Sequence, residues 1–285
     1  MTKSHFTIWI NKINLGPKRL ILIIGYTALT AYISLTVFMI LIIILLIAII
    51  YFVIFYGIFI RKKVFKSINK YYEIRDYILP INSNKNYREI KPIGSNAITS
   101  KIFIKNTKKW AFFDIIRQAI ITSKLKPFRQ ALILGGGGAS VPYCLAKDYP
   151  KCKIDVVEIS MTMINIAKTY FVKQFSNQIK FHHLNANKFI HHLKTKYDLI
   201  FIDIYPDLLT QNQKFIHQIK KASKSSSLII INLTNSNKKN LTPWIKYCQS
   251  IFGLNNFNLY LCGKNIIAIV CKQNLLNFPS ALKII

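Results

Sequence analysis

The chain has 285 residues, with 40 lysines and arginines against 10 aspartates and glutamates and a formal net charge of +30 at pH 7. This length accommodates one α/β domain of about 150 to 200 residues and one further segment. The lysines are scattered among isoleucines and asparagines instead of clustering in one arm, which argues against a specific nucleic-acid partner. The pattern is typical of biased residue usage, with an added attraction to anionic lipid.

A long apolar segment follows a short lead at residues 1–17. The 41 residues from Leu20 to Ile60 include no charged side chain. One helix of that length would measure about 60 Å, twice the roughly 30 Å hydrocarbon core of a bilayer. We therefore expect residues 18–63 to form a transmembrane two-helix hairpin that reverses near residues 34–37. The alternative is a single span from about Phe38 to Ile60, preceded by a more polar interfacial stretch.

The flanking charges predict where the chain resides. Lys18 and Arg19 precede the apolar segment, and Arg61, Lys62 and Lys63 follow it. Because basic residues tend to stay on the cytoplasmic side, both ends of the hairpin belong in the cytoplasm. We expect a protein of the inner (cytoplasmic) membrane, with the lipid bilayer as a partner and the C-terminal domain in the cytoplasm.

Residues 64–97 are predicted to form a basic linker. Aromatic and isoleucine side chains recur among lysines from Val64 to Tyr77 at near-helical spacing, typical of a helix along the lipid surface or of a plain linker helix. The segment Pro80 to Ser100 is rich in Asn, Ser, Pro and Gly and indicates a boundary. We expect the folded domain to occupy residues 98–285, starting with a strand at residues 98–105 and a helix at residues 110–123.

From Gln130 onward, strand and helix patterns alternate. This alternation predicts an α/β domain with a doubly wound, mostly parallel, Rossmann-like sheet and helices on both faces. The last two strands lie too close together for a crossover helix, so the final strand should enter antiparallel. Strands are expected at residues 131–134, 153–157, 179–182, 199–202, 228–232, 257–261 and 266–271, and helices at residues 141–147, 161–171, 187–193, 211–220 and 241–252.

Four consecutive glycines, Gly135, Gly136, Gly137 and Gly138, lie where the first of these strands should turn into a helix. Glycine tolerates positive φ and has no Cβ, so its backbone can closely approach a bound nucleoside. The order Gly-x-Gly-x-Ala favours an S-adenosyl ligand over a dinucleotide, although the two motifs overlap. Ser140 is expected to cap the helix that follows.

Acidic residues end two of the predicted strands. Glu158 lies 23 residues beyond Gly135, near the roughly 20 expected for an acid that binds a ribose diol; its alternative role is to cap the helix at Met161. Asp203 ends a very apolar strand at the edge where open α/β sheets bind ligands. With Asp207, it is a candidate to hold a cationic amine and accept its proton. The alternative for Asp207 is a turn in which it only caps a helix.

Cysteine and histidine spacing indicates no metal site. The five cysteines lack Cys-x-x-Cys spacing and are expected to be reduced, mostly buried cytosolic thiols. The histidine pairs at residues 182–183 and 191–192 have no cysteine or carboxylate at ligand spacing.

Five segments carry a resemblance to a known family: LILGGGG at residues 132–138, VVE at 156–158, AKTYF at 167–171, NANKF at 185–189 and YDLIFID at 197–203. In order and spacing they resemble the spermidine synthase (polyamine aminopropyltransferase) family and its membrane-attached bacterial relatives. The resemblance covers about residues 130–207. It implies a class I methyltransferase-type fold, in which one antiparallel hairpin closes a parallel sheet.

The resemblance also implies a cofactor and roles for individual residues. In that family the glycine loop and the acid that matches Glu158 hold decarboxylated S-adenosylmethionine, and Asn185 stands where an aspartate contacts its adenine. Asp203 matches the aspartate that helps to deprotonate the attacking amine, and Tyr205 and Asp207 lie in the segment expected to bind this substrate. Family enzymes are commonly oligomeric, so a homo-oligomer is implied.

The chain also departs from the family pattern. Gly138 replaces an acid, Pro206 and Asp207 invert an Asp-Pro pair, and a Tyr-His-Glu segment has no counterpart. The family's N-terminal β region is expected to be abbreviated to residues 98–105.

Three hypotheses follow. The leading one is a membrane-anchored transferase, related to polyamine biosynthesis, that moves an aminopropyl group from decarboxylated S-adenosylmethionine to a small-molecule amine. The second is an S-adenosylmethionine-dependent methyltransferase. The third is a degenerate, non-catalytic scaffold that binds a nucleoside, which the departures at Gly138 and Pro206 favour.

Overall fold

A computed structural model describes residues 16–56, 59–66, 71–78, 86–95, 98–104, 111–123, 128–204, 212–233, 238–262, 265–271 and 282–283. The chain divides into two compact units. One contains the N-terminal helix, and the other contains two β-sheets and the remaining helices.

The N-terminal unit is built on one continuous helix, α1, which spans Pro17–Tyr56. Within its stretch Pro17–Phe52, an 18-residue window has a mean hydropathy of 3.4 and none of that window is buried inside the protein, so the stretch is long and apolar enough to cross a membrane. The predicted hairpin is wrong, because the helix continues through residues 34–37. That stretch has no Pro, Asn or Asp to start a turn, and the Thr36 hydroxyl donates to the Ile33 carbonyl at 2.8 Å.

The second unit begins with a four-stranded antiparallel sheet in the order β1-β2-β3-β4. The predicted linker over residues 64–97, the helix within it and the abbreviated β region are therefore wrong, and the folded unit begins near Phe59 rather than at residue 98. Alternate side chains explain the difference: Tyr72 and Ile74 pack with Ile90 and Ile102 towards the core, a period of two residues. The strands are β1 Phe59–Lys66, β2 Tyr71–Ile78, β3 Tyr87–Pro92 and β4 Ser100–Phe103.

The larger sheet has eight strands in the order β12-β10-β11-β9-β8-β5-β6-β7. Its strands are β5 Gln130–Leu134, β6 Lys153–Glu158, β7 Ile179–His183, β8 Tyr197–Ile202, β9 Ser223–Asn232, β10 Phe257–Cys262, β11 Asn265–Val270 and β12 Leu282–Lys283. The helices are α2 Ala111–Thr122, α3 Ser140–Asp148, α4 Met161–Ile166, α5 Ala186–His191, α6 Gln213–Ala222 and α7 Lys238–Phe252. A π-helical turn, Ala167–Phe171, continues α4.

Strand pairing confirms the predicted fold class. β5 lies parallel to both β6 and β8, so that Leu132 is opposite Asp155 on one side and Ile200 on the other. The parallel set continues from β6 to β7 and from β8 to β9. β11 enters antiparallel between β9 and β10, as the short connection before it requires. The result is a methyltransferase-type sheet closed by an antiparallel hairpin.

Both faces of this sheet are covered, which explains the continuous apolar runs of its central strands. All six residues of β8 are buried. Ile133 and Phe201 face one core together with α2, α3, α4 and the inner side of the small sheet, whereas Leu132 and Ile200 face a second core with α5, α6 and α7. The carboxyl ends of β5, β6, β7, β8 and β9 therefore meet at one edge, between two packed layers.

Candidate functional site

The loop between β5 and α3 needs glycine for geometric reasons. Gly135 and Gly137 have φ angles of 86° and 47°, which L-residues with side chains rarely adopt. A Cβ on Gly135 would lie 2.1 Å from the backbone oxygen of Asp203, and one on Gly136 would lie 2.3 Å from Cγ1 of Val156. The loop is thus pressed against β8 and β6, and only residues without a side chain fit there.

Gly138 is explained by the small sheet. A Cβ at this position would lie 2.6 Å from Cβ of Ser100 on β4 and 2.7 Å from Cγ2 of Ile90 on β3. Ser100 is 2% exposed, and its Oγ is 3.3 Å from Oγ of Ser140. The small sheet therefore occupies the space that an acidic side chain at position 138 would need.

The start of α3 differs in detail from the prediction. The helix begins at Ser140, so the capping position falls on Ala139, which has a φ of 65° and makes no side-chain cap. Ala139 donates its N–H to the Gly136 carbonyl at 2.8 Å, which closes the loop on itself. The predicted Ser140 cap is wrong because the left-handed turn at Ala139 starts the helix one residue early.

Glu158 ends β6 directly beneath the glycine loop. Its Oε2 accepts the N–H of Gly137 and its Oε1 accepts the N–H of Ser160, both at 2.9 Å. The side chain is nearly buried, at 9% exposure. The helix-capping alternative is wrong in its main point: the cap of α4 is Ser160, whose Oγ accepts the Met163 N–H at 3.3 Å. Glu158 instead links the glycine loop to the segment before α4.

Asp203 follows β8 at the same edge, and its N–H donates to the Leu134 carbonyl at 2.8 Å. Asp203 is exposed to solvent, so the site lies in an open crevice outside the carboxyl ends of the strands rather than in a closed cavity. Desolvation in this crevice raises the pKa of Asp203, and the charge of Glu158 raises it further. The side-chain amide of Asn232, at the end of β9, donates to Asp203 Oδ1 at 2.9 Å and opposes this rise in pKa.

Asn185 lies at the end of the segment that joins β7 to α5. Its Oδ1 accepts the N–H of Asn187 at 2.9 Å and caps the helix, which commits the oxygen and leaves the side-chain NH2 to donate elsewhere. The preceding Leu184 donates its N–H to the Glu158 carbonyl at 3.3 Å, so the two strand ends lie side by side. Leu184 and Ile159 are large apolar residues left 40% and 65% exposed at this edge.

The structure brings most of the predicted site residues together. The four glycines, Glu158, Asn185 and Asp203 all follow neighbouring strands at one edge of the sheet. Tyr205 and Asp207 lie outside the described residues. Of the histidines, His182 Nε2 is 2.6 Å from Asp155 Oδ1 and His183 Nε2 is 3.0 Å from the Ile159 carbonyl. Over the described ranges, no three metal-ligating side chains form a group.

Sequence reasoning missed four residues at this edge: Ser100, Ile159, Leu184 and Asn232. Two of them had a usable signal, because Ile159 follows an acid at a strand end and Asn232 is itself a polar residue that ends a buried strand. Ser100 had none, since its contact with the loop depends on a sheet that the local pattern did not reveal.

Comparisons with known proteins agree with this architecture. A family model described as a methyltransferase domain matches residues 130–273. A polyamine aminopropyltransferase from Vibrio vulnificus is 32% identical over 139 residues, which cover 46% of each chain. The chain thus spans about half the length of this curated relative.

Solved structures show the same fold at low sequence identity. A probable spermidine synthase from Corynebacterium glutamicum superposes with a TM-score of 0.60 and 14% identity, over 75% of this chain and 81% of the other. Human methyltransferase-like protein 13, in complex with SAH, superposes with a TM-score of 0.52 and 18% identity, over 60% of this chain and 86% of the other. These findings confirm the resemblance to spermidine synthase and the class I methyltransferase-type fold. With half of its length matched by the family model, the chain belongs to the methyltransferase-domain family.

Proposed function

We propose that this protein is a membrane-anchored transferase that binds an S-adenosylmethionine-derived cofactor and transfers its aminopropyl group to a small-molecule amine. The observation that carries the proposal is the meeting of three features at one sheet edge: the glycine loop, Glu158 bonded to that loop, and Asp203 across the crevice. Each feature has a separate chemical task.

The first task is to hold the nucleoside. A carboxylate has about four acceptor positions, and Glu158 uses two of them on backbone N–H groups. The remaining two suit the two hydroxyls of a ribose. Gly137 is the open position of the loop, since a Cβ there would have no neighbour nearer than 3.7 Å. The residues present therefore fit an adenosyl cofactor.

The second task is to hold the base. Ile159 and Leu184 offer apolar surface beside Glu158, and apolar surface left exposed at a sheet edge suits a flat aromatic ring. Asn185 has its amide NH2 uncommitted, which suits a ring nitrogen acceptor. We assign the adenine to this end of the crevice, with Gly135 to Gly138 along the rest of the cofactor.

The third task is to activate the amine. A bound cofactor would supply an electrophilic carbon next to a sulfonium; attack by the amine would break the carbon–sulfur bond, and the thioether sulfur would keep the electron pair. Asp203 orients the amine and accepts its proton, for which a raised pKa is favourable. The charge of Glu158, also a carboxylate, acts on Asp203, and two carboxylates at one edge suit a cationic ligand. Tyr205 and Asp207 remain predicted substrate contacts.

The relatives support this assignment from two directions. The curated relative is a polyamine aminopropyltransferase, and a further spermidine synthase of this fold, with a TM-score of 0.53, is solved in complex with the transition-state analogue AdoDATO. Methyl transfer is the second candidate. It is favoured by the family model. A scaffold without turnover is the third.

We place the domain at the cytoplasmic face of the inner membrane. The support is α1, whose stretch Pro17–Phe52 is long and apolar enough to cross a membrane. The two ends of a single span lie on opposite sides, and three basic residues, Arg61, Lys62 and Lys63, follow the apolar segment against two, Lys18 and Arg19, before it, which favours the cytoplasmic side for the domain. A homo-oligomer remains a prediction from the family.

Turnover with two labelled cofactors tests the proposal. The detergent-solubilised full chain is incubated with a panel of di- and polyamines and either decarboxylated S-adenosylmethionine labelled in its aminopropyl group or S-adenosylmethionine labelled in its methyl group. We expect the aminopropyl label to appear in an amine product, and Asp203→Asn to abolish this transfer. Transfer of the methyl label alone would identify a methyltransferase, and no transfer of either label would favour the scaffold.

A further inference from the structure

The site contains a side chain whose position is set by the fold and whose partner is Asp203. Asn232 is the last residue of β9, and β9 lies next to β8, which Asp203 follows. On its other side, β9 pairs with the antiparallel β11, where Asn232 is opposite Ile267 and Leu233 donates its N–H to the Ile266 carbonyl at 2.8 Å. Asn232 is therefore held by strands on both sides.

The backbone of Asp203 is fixed by its neighbours, whereas its carboxyl group has fewer contacts. Its N–H bonds to Leu134, and its carbonyl lies against Gly135, where a Cβ would be 2.1 Å away. Within the described residues, the carboxyl group accepts one hydrogen bond, at Oδ1 from the Asn232 amide. This bond fixes the rotation of the carboxyl group about its Cβ–Cγ bond. Oδ2 accepts no hydrogen bond from the described residues and is the oxygen left for a ligand.

We propose that Asn232 is a positioning residue for the transfer reaction: it holds Oδ1 of Asp203 so that Oδ2 receives the proton of the acceptor amine. The inference deepens the proposed function and rests on it. An amide is suited to this task because it donates a hydrogen bond without bringing a charge that would neutralise the carboxylate or compete with the cationic amine.

The charge environment gives Asn232 a second effect. Of the described elements around Asp203, β6 contributes the carboxylate Glu158, β9 contributes Asn232, and the glycine loop contributes no titratable group. Glu158 and desolvation both favour the protonated form of Asp203, whereas the Asn232 amide favours the ionised form. Removing the amide should therefore extend the protonated range of Asp203 to higher pH.

The test compares pH–rate profiles of the full chain and of Asn232→Ala. Activity falls on the acid side as Asp203 takes up its proton. In Asn232→Ala we expect this acid limb to move to higher pH by about one unit, the order expected when a partly solvated carboxylate loses a charge-assisted hydrogen bond. Asn232→Asp keeps the shape but adds a negative charge, so its limb should move further. Cofactor affinity, measured by calorimetry, should change less than twofold, because the substitution removes the hydrogen bond to Asp203, which is assigned to the amine and not to the cofactor.

A matched control separates positioning from stability. Asn258 is a nearly buried asparagine in β10 of the same sheet, two strands away from β9. Asn258→Ala should leave the acid limb in place even where its melting temperature falls. An unchanged limb in Asn232→Ala, with an active parent protein, would overturn the inference and leave the proposed function standing.

A second measurement keeps the inference testable without turnover. The carboxyl carbon of Asp203 can be titrated by NMR in protein with 13C-labelled aspartate, where it is identified by its disappearance in Asp203→Asn. A parent protein inactive with both cofactors and all amines would overturn the proposed function, and with it the catalytic part of this inference. The NMR titration would still decide whether Asn232 controls the ionisation of Asp203: a higher pKa in Asn232→Ala supports the contact, and an identical pKa refutes it.

Discussion

The close contact between the glycine loop and the end of β8 predicts that two conservative substitutions, Gly135→Ala and Gly137→Ala, lower the free energy of unfolding by different amounts. Both positions have positive φ, so each alanine pays about 1–2 kcal/mol for a left-handed conformation. Only at Gly135 does the new Cβ meet backbone atoms, at 2.1 Å and 2.7 Å from the carbonyl oxygen and carbon of Asp203. At Gly137 the nearest atoms are Cγ2 of Thr99 at 3.7 Å and Oγ of Ser100 at 3.9 Å, which are ordinary contacts.

The magnitudes follow from these contacts. Overpacking typically adds about 1–3 kcal/mol, and backbone atoms cannot rotate away as a side chain can. We expect Gly135→Ala to lose about 2–5 kcal/mol and Gly137→Ala about 1–2 kcal/mol. At about 2–4 °C per kcal/mol for a domain of this size, Gly135→Ala should melt roughly 4–20 °C below the parent, and Gly137→Ala roughly 2–8 °C below it.

Thermal unfolding of the two detergent-solubilised variants, at one scan rate, measures this difference. The comparison cancels the contribution of α1 and of detergent, which both variants share. Equal losses in the two variants, or a larger loss in Gly137→Ala, would refute the close approach of the loop to Asp203.

Three further predictions concern the site and its supporting sheet. Glu158→Gln should weaken cofactor binding about 10- to 100-fold in a calorimetric titration, because the amide keeps one acceptor and sets an NH2 against a backbone N–H; unchanged affinity would exclude Glu158 as a ribose ligand. Asp203→Asn should abolish turnover, retain cofactor binding and melt at or above the parent at pH 7. Because the pKa of Asp203 is raised in the folded protein, its ionised carboxylate opposes folding above the ordinary aspartate pKa of about 3.9. The difference in melting temperature between variant and parent should therefore shrink as pH falls through the raised pKa. A variant that melts below the parent at pH 7 would contradict this. Arg88 binds both oxygens of Asp76, with Nη2 at 2.7 Å from Oδ2, and donates to the Tyr170 carbonyl of the π-helical turn. Arg88→Met should lower the free energy of unfolding by about 1–3 kcal/mol, less than for a fully buried pair because both side chains are about one-fifth exposed. The double variant Arg88→Met with Asp76→Leu should recover part of this loss. No recovery in the double variant would show that the broken ion pair is not the cause of the loss.

The parallel part of the fold was predictable because its signals are local. The run Leu199 to Ile202 is continuously apolar, since helices cover both faces of β8, and such a run between polar segments fits few other structures. The glycine cluster, Glu158 and Asp203 were predictable for the same reason. Residues that end neighbouring parallel strands meet at one edge without any knowledge of side-chain packing.

The small sheet was not predictable from spacing alone. Phe65 and Tyr72 on β1 and β2 are separated by seven residues, which fits two turns of a helix as well as a strand pair. What selects the sheet is pairing across strands, such as Phe65 opposite Tyr72, and the packing of Ile74, Ile90 and Ile102 against a core built by later residues. Arg61, Lys62 and Lys63 in the middle of β1 interrupt the alternation and conceal the period of two.

The hairpin prediction failed for a different reason. Length compared with bilayer thickness favours two spans, but an apolar segment without a turn residue continues as a helix, and that local preference decides the structure of α1.

The hydrogen bond between Asn232 and Asp203 could not be predicted from the sequence either. It joins residues 29 positions apart, and only the order β9-β8 in the sheet makes them neighbours.

Binding of the cofactor tests the central claim most directly. We would titrate the detergent-solubilised full chain by calorimetry with S-adenosylmethionine, its decarboxylated form and methylthioadenosine, after checking by thermal unfolding that the protein is folded. The account predicts saturable binding, with the decarboxylated form and methylthioadenosine preferred over S-adenosylmethionine. Preference for S-adenosylmethionine would instead indicate a methyltransferase. If folded protein bound none of the three compounds, the assignment of a cofactor site would be contradicted.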